Sequence, residues 1–412
     1  MSAREFTRRS LLAGLAGTAG WAVLPAGSSA GSPVRAVSAV PPAPTVEIHL
    51  AATDGWVSMP SGTPPIPPFW PDPLAPANSN LYVFGFRDVT KMSASQVTAQ
   101  RGKAQISAPM LSFDQETDIK ITLSNLGLSQ RPDLVDGHTV HWHGFRNAIP
   151  LFDGVPELSI SVPIGRDFTY FYRPHDPGTY MYHCHFEDVE HVQMGMTGML
   201  FVRPIQNKGT RDVPAGKYAY NDGDGSTRYD REFAFMMTEV WAEAHYRDAH
   251  IQTTDWTDYK PSFFALNGRS YPDTLAPNGD PVTGSGPLRY QPISSLVRCN
   301  SGEKVLLRLA NLGYQNHAMT VDGIDLTVVG KDAGLLRGRD GASEYAVTNT
   351  VEIGPGESRD VIFTAPTPGT YLLYDRDYLA LTNSAGGGYG GQMTEIRVSP
   401  AGTLAPQSAP NA

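Results

Sequence analysis

The sequence predicts an all-β protein made of two consecutive β-sandwiches in a chain of 412 residues. Three observations carry that expectation. Runs such as Val46-Glu47-Ile48-His49-Leu50, Leu81-Tyr82-Val83-Phe84-Gly85-Phe86 and Asp118-Ile119-Lys120-Ile121-Thr122-Leu123 are short, alternate, and are bounded by Gly, Pro, Asn or Asp. Period-two alternation between turn residues marks half-buried strands. Gly (41) and Pro (34) are frequent enough to favour many turns over long helices. Finally, blocks of the first half return in order in the second: Ser124-Asn125-Leu126-Gly127 as Ala310-Asn311-Leu312-Gly313, and Pro177-Gly178-Thr179-Tyr180 as Pro368-Gly369-Thr370-Tyr371.

Residues 1–30 read as an export signal rather than as part of the fold. Arg8 and Arg9 precede an apolar run from Leu11 to Leu24, and Ser28-Ser29-Ala30 resembles a small-residue cleavage site. The run is too short to span a bilayer as an ordinary helix. Thr7-Arg8-Arg9-Ser10-Leu11-Leu12 resembles a twin-arginine signal, which implies export to the periplasm, the cell surface or the exterior; an ordinary secretory signal or an uncleaved anchor is the alternative. Residues 31–44, rich in Ser, Pro, Ala and Val, read as a linker. The first sandwich is expected over 45–205, a Gly/Asp/Asn-rich linker over 206–229, the second sandwich over 230–400, and a tail over 401–412. Each sandwich has the size of a single domain. The net charge of −9 and the isoelectric point near 5.6 speak against nucleic acid and anionic membranes as partners.

The chemistry concentrates in the first half. His138-Thr139-Val140-His141-Trp142-His143 puts His141 and His143 on one face of a strand and His138 on the other. In Tyr182-His183-Cys184-His185 the same alternation sends Cys184 one way and its flanking histidines the other. His138 and Cys184 can therefore share one site, closed by His191 and Met196 from the following loop. His141, His143, His183 and His185 can share a second. Two imidazoles, a thiolate and a thioether suit a blue copper ion, and an all-imidazole set suits copper better than calcium or magnesium. Cys184 is bonded through the backbone to His183 and His185, a short path between the two sites. The chain has only two cysteines, and on count alone Cys184 could pair with Cys299. The histidines around Cys184 argue for metal binding instead, with Cys299 a half-buried strand residue.

These motifs resemble the copper-binding signatures of the multicopper oxidases, in the two-domain, laccase-like form. Phe152-Asp153-Gly154-Val155-Pro156 and Leu266-Asn267-Gly268-Arg269-Ser270-Tyr271-Pro272 are similar to family segments too. The resemblance covers roughly residues 80–400. It implies a cupredoxin-like Greek-key sandwich in each half. It also implies His138, Cys184 and His191 as type 1 copper ligands with Met196 axial, and His141, His143, His183 and His185 as ligands of a type 2/type 3 cluster. The implied activity is single-electron oxidation of a small-molecule or protein donor at the type 1 copper, with O2 as acceptor at the second site, in a homotrimer whose cluster lies between subunits.

Three departures from the family pattern stand out. Six residues separate Cys184 from His191 where the family usually leaves four, and Met194 competes with Met196 for the axial position. The full cluster needs eight histidines, and in the ungapped repeat His141 and His143 face Thr320 and Asp322, while His183, Cys184 and His185 face Tyr374, Asp375 and Arg376. Only His317 survives, in the slot of His138. The third departure separates the chain from copper nitrite reductases, which carry Asp at the position of His141 and no His at that of His185. A copper electron-transfer or copper-binding protein without oxidase turnover is the alternative function. His49, His175, His245 and His250 are expected on the surface or in turns, although His245, His250 or His317 could complete the second site. Glu187, Asp188 and Glu190 read as an acidic loop, either simply solvated or serving proton delivery or the docking of a cationic donor.

Overall fold

The computed structural model describes residues 45–60, 71–146, 149–384 and 389–412. The expected signal and the 31–44 linker lie outside the described residues. The first sandwich pairs two four-stranded sheets. One runs Leu81–Asp88, Thr45–Val57, Asp118–Asn125, Asp167–Tyr172; the other runs Leu111–Asp114, Thr197–Arg203, Gly178–His183, His141–His143. The alternation read from the sequence sets which side chains face inward. Ile119, Ile121 and Leu123 are fully buried in a core with Phe84, Phe86, Trp142, Tyr170 and Leu200, each such apolar side chain contributing about 1.5–3 kcal/mol.

The second sandwich repeats this plan. One sheet runs Phe263–Leu266, Arg231–Val240, Lys304–Asn311, Ser358–Thr364, Leu326–Lys331, Gly334–Leu335, with Ala346–Thr348 also pairing Leu326–Lys331; the other runs Val297–Asn300, Met393–Ser399, Gly369–Asp375, His317–Val321, Thr350–Ile353. The sequence repeats prove to be repeated hydrogen-bonding devices. Asn125 accepts from the Gly127 N–H at 2.8 Å and donates to the carbonyls of Asp136 and Val162; Asn311 accepts from the Gly313 N–H at 2.8 Å and donates to those of Gln315 and Ile353. Tyr180 donates its hydroxyl to the carbonyl of Asp176 and Tyr371 to that of Thr367, in both cases four residues upstream. Strand register repeats as well: His141 stands opposite His183, and Thr320 opposite Tyr374.

The described residues form one compact unit. Met181, Met199 and Phe201 of the first sandwich pack against Ala234, Met236, Ala310 and Leu312 of the second. Arg308 is fully buried at this junction, contacting Glu232, Asp360 and Thr179. The expected linker 206–229 connects the sandwiches but is not a solvated spacer. Ala219, Tyr220 and Tyr229 are buried against Leu306, Val329 and Ile362, because its aromatic residues cover the outer face of the second sandwich. The expected tail is likewise docked: Asn411 is buried and bonded to the backbone of Ala234 and Ser294. Cys299 is fully rather than half buried, and both cysteines are free thiols.

Candidate metal centre

The first cluster assembles from three segments. His138 is anchored by a two-way backbone bridge to Val162 (3.1 and 2.8 Å). Cys184 follows the strand Gly178–His183, and its N–H bonds to the Met196 carbonyl at 3.2 Å. His191 lies on the helix Asp188–Met194, which stands where an acidic loop was expected. Asp188 and Glu190 occupy that helix's first turn, where negative charge is favoured. The helix ends at Gly195, whose φ of +117° only glycine adopts readily, and the chain turns to bring Met196 back beside Cys184.

Cys184 Sγ lies 3.3 Å from His191 Nδ1 and 3.9 Å from His138 Nδ1, and the Thr139 N–H points at the sulfur from 3.5 Å. His138, Cys184, His191, Met194 and Met196 are all fully buried. Burial pushes the Cys184 thiol up, but the charge of His191 and hydrogen bonds from His138 and His191 outweigh it and hold the thiol well below its ordinary value. Burial likewise opposes charge on His191, yet Cys184 and Asp136 raise that imidazole. The sulfur is thus held in thiolate form, the form that binds metal. One sulfur and two imidazole nitrogens within 4.8 Å of one another, shielded by Phe84 and Phe186, fit a copper ion of the blue type.

The second cluster lies on the opposite face, as the alternation requires. Ring centroids of His141 are 5.1 Å from His185, 5.2 Å from His183 and 6.0 Å from His143. His143 Nδ1 is 3.4 Å from His183 Nε2. The Nδ1 atoms of His141 and His183 are taken up by the carbonyls of Asp153 (2.7 Å) and Cys184 (2.8 Å), which leaves both Nε2 atoms as acceptors for a metal. Burial lowers the pKa of His141 and His143, and burial with three neighbouring imidazoles takes His183 down to about 3. The rings are therefore neutral and offer lone pairs. The backbone N–H of His185 donates to Thr139 Oγ1 at 2.9 Å and ties this residue to the segment that carries His138.

The remaining histidines stay apart from both clusters. His245, expected at the surface, is buried on the helix Ala242–Ala249, with Nδ1 2.5 Å from the Tyr82 carbonyl. His250 pairs with Asp72 at 3.0 Å and stacks on Tyr246. His317 is clamped between Glu239 and Asp375, 2.6 Å from each. In the second sandwich, then, the slots of His138 and Cys184 hold an imidazole and a carboxylate in contact. Sequence reasoning missed three carboxylates. Asp153 carries the carbonyl that orients His141. Asp136 Oδ2 lies 3.6 Å from His191 Nε2. Glu239 faces His317. Asp153 sits in a segment whose resemblance was noted without a role; Glu239 had no local signal.

Models of multicopper oxidase domains match residues 88–207 and 232–390, together more than half of the chain. Laccase-12 of Arabidopsis thaliana is 28% identical over 251 residues, covering 60% of this chain and 38% of that protein. Laccase-1 of Emericella nidulans is 36% identical over 98 residues, covering 23% of this chain and 14% of that protein. The matches thus span well under half the length of these curated relatives. Among solved structures, a blue copper oxidase from Nitrosomonas europaea superposes with a TM-score of 0.60 at 22% identity over 86% of both chains. A copper nitrite reductase from the same organism superposes at 0.55 with 17% identity, covering 87% of this chain and 95% of that one. These likenesses establish the two-domain cupredoxin fold. With both halves matched by models of one family, the chain belongs to the multicopper oxidases.

Proposed function

We propose that the chain is a copper-dependent, laccase-like oxidoreductase that oxidises an external one-electron donor, a small molecule or a redox protein, and reduces O2. His138, Cys184 and His191, with Met196 axial, hold a type 1 copper ion; His141, His143, His183 and His185 hold copper at the second site. Bound copper supplies reversible one-electron chemistry at neutral pH. The chain's own residues do the rest. Cys184 provides the thiolate, its burial excludes water, and the Asp153 and Cys184 carbonyls fix which imidazole nitrogens face the second site.

The observation that carries this reading is the position of Cys184 in the first cluster with His183 and His185, bonded to it on either side, in the second. One residue of backbone joins the two sites. A bare electron carrier would have no use for four converging imidazoles. The loss of histidines from the second sandwich favours the carrier reading, which remains the second hypothesis. Cys184→Ser is expected to abolish intense blue colour and donor oxidation together; a variant that stays blue refutes the type 1 assignment. His143→Ala is expected to keep the colour and lose O2 consumption; retained consumption means that the second site is not catalytic, and a blue wild type that consumes no O2 means that the chain is a carrier. Export through the twin-arginine-type segment and assembly as a homotrimer belong to the same proposal, on the sequence pattern and the family resemblance.

A further inference from the structure

The eight-histidine cluster implied by the family does not fit this chain, and the geometry points to a smaller centre. We infer that the four-imidazole site takes a single copper ion, so that the loaded chain carries two coppers in all. This rests on the proposed type 1 site for the other ion.

The donor atoms support one ion. His141, His143 and His183 place ligand nitrogens within 4.8 Å of one another, a spacing that three ligands around one ion can close with small side-chain adjustments. The tautomers agree. His141 and His183 present Nε2, because their Nδ1 atoms are bonded to carbonyls. His143 hydrogen-bonds the Gly356 backbone, and Gly356 lies against its Nε2 edge, so Nδ1 is left toward His183. His185, with its ring 5.1 Å from that of His141, is the fourth donor. Spreading four imidazoles over three ions would leave each ion with one or two nitrogen ligands.

Copies of this chain cannot make up the difference. Eleven histidines exist in the sequence, and six occupy the two clusters. Of the other five, His317 is locked between two buried carboxylates, and His245 is buried against Tyr82. His250 is held by Asp72, His49 by Ser124 at 2.6 Å and His175 by Glu116 at 2.6 Å. The strand pair of the second sandwich that corresponds to the cluster presents Thr320, Asp322, Tyr374 and Arg376, with Tyr374 donating to Asp322 at 2.9 Å. In the between-subunit arrangement that the family resemblance implies, a neighbouring copy would bring an acid, a phenol and a cation to the site, and no imidazole.

The inference has a functional consequence. Two one-electron centres store two electrons, which with two protons convert O2 to hydrogen peroxide rather than to water. The chain would consume two equivalents of a one-electron donor per O2.

The test is copper per chain in the full, copper-loaded protein, measured by elemental mass spectrometry and electron paramagnetic resonance, with peroxide assayed during O2 consumption. Two coppers in the wild type, one in Cys184→Ser, one in His143→Ala, and one peroxide per O2 are expected. A blue protein with four coppers, or O2 consumed with no peroxide, overturns the inference and leaves the proposed function standing. A colourless protein that still loads copper at the imidazoles overturns the type 1 assignment instead. The wild-type count does not depend on whether either variant folds.

Discussion

His317→Gln is the sharpest test of how the second sandwich is held together. His317 sits between Glu239 and Asp375 with 2.6 Å contacts on both sides, and the three side chains are at most 1% exposed. Burial opposes the charged imidazole, but hydrogen bonds to Asp375 and Glu239 outweigh it and raise the pKa from 6.5 to about 9. A gap of that size between folded and unfolded states corresponds to roughly 3 kcal/mol. Because the folded value is the higher one, the stabilisation is fully present below about pH 6.5 and is lost as pH rises through about 9. Glutamine keeps much of the shape but places its N–H donors at one end only and cannot carry the charge. It leaves two buried carboxylates without their cation, which costs about 3–5 kcal/mol. Urea unfolding of wild type and variant at a series of pH values from 6 to 10 reads this directly. The wild type should lose stability across the window from 6.5 to 9, the variant should show a much flatter profile there, and the two should converge at the alkaline end. A wild-type profile that is flat across the window, with a variant less than about 1 kcal/mol weaker at pH 6, would refute the imidazolium assignment.

Other predictions follow from the same contacts. Gly154 has a φ of +78°, and a Cβ there would collide with the Val140 carbonyl oxygen and come within 2.8 Å of His141 Cα; Gly154→Ala should lower copper occupancy at the second site while the blue colour remains, as metal analysis and absorbance would report. Arg308→Met should destabilise the whole chain by about 3–5 kcal/mol in denaturant, since Glu232 and Asp360 lose a fully buried partner that also bonds Thr179 across the junction. Met196→Leu should shift the spectrum and potential of the blue site and Met194→Leu should not; the reverse result would make Met194 the axial ligand.

What was legible in the sequence was local. Strand periodicity, turn residues and the phase of His138, His141, His143, His183, Cys184 and His185 depend on the two-residue repeat of a strand, a property of the backbone alone. Two faces of one strand pair therefore followed from spacing, as did the duplicated Asn-Leu-Gly and Pro-Gly-Thr-Tyr devices. What the sequence left open was long-range or depended on burial. Residues 188–194 form a helix rather than a loop, and Gly195 in a left-handed conformation ends it. Residues 206–229 read as a linker by composition, yet their tyrosines find an apolar face supplied by strands about a hundred residues later. Burial of His245 depends on the carbonyl of Tyr82, far away in the chain. The largest gap was Glu239, which contacts His317 across 78 residues. Nothing near either residue announces that pairing; only the packed second sandwich brings a carboxylate from one sheet to an imidazole on the other. Composition and spacing determined the fold class of this protein and the strand faces on which its histidines and Cys184 lie. Tertiary structure decided which histidines remain available to a metal, because availability depends on the hydrogen-bond partner each ring meets once the chain has folded.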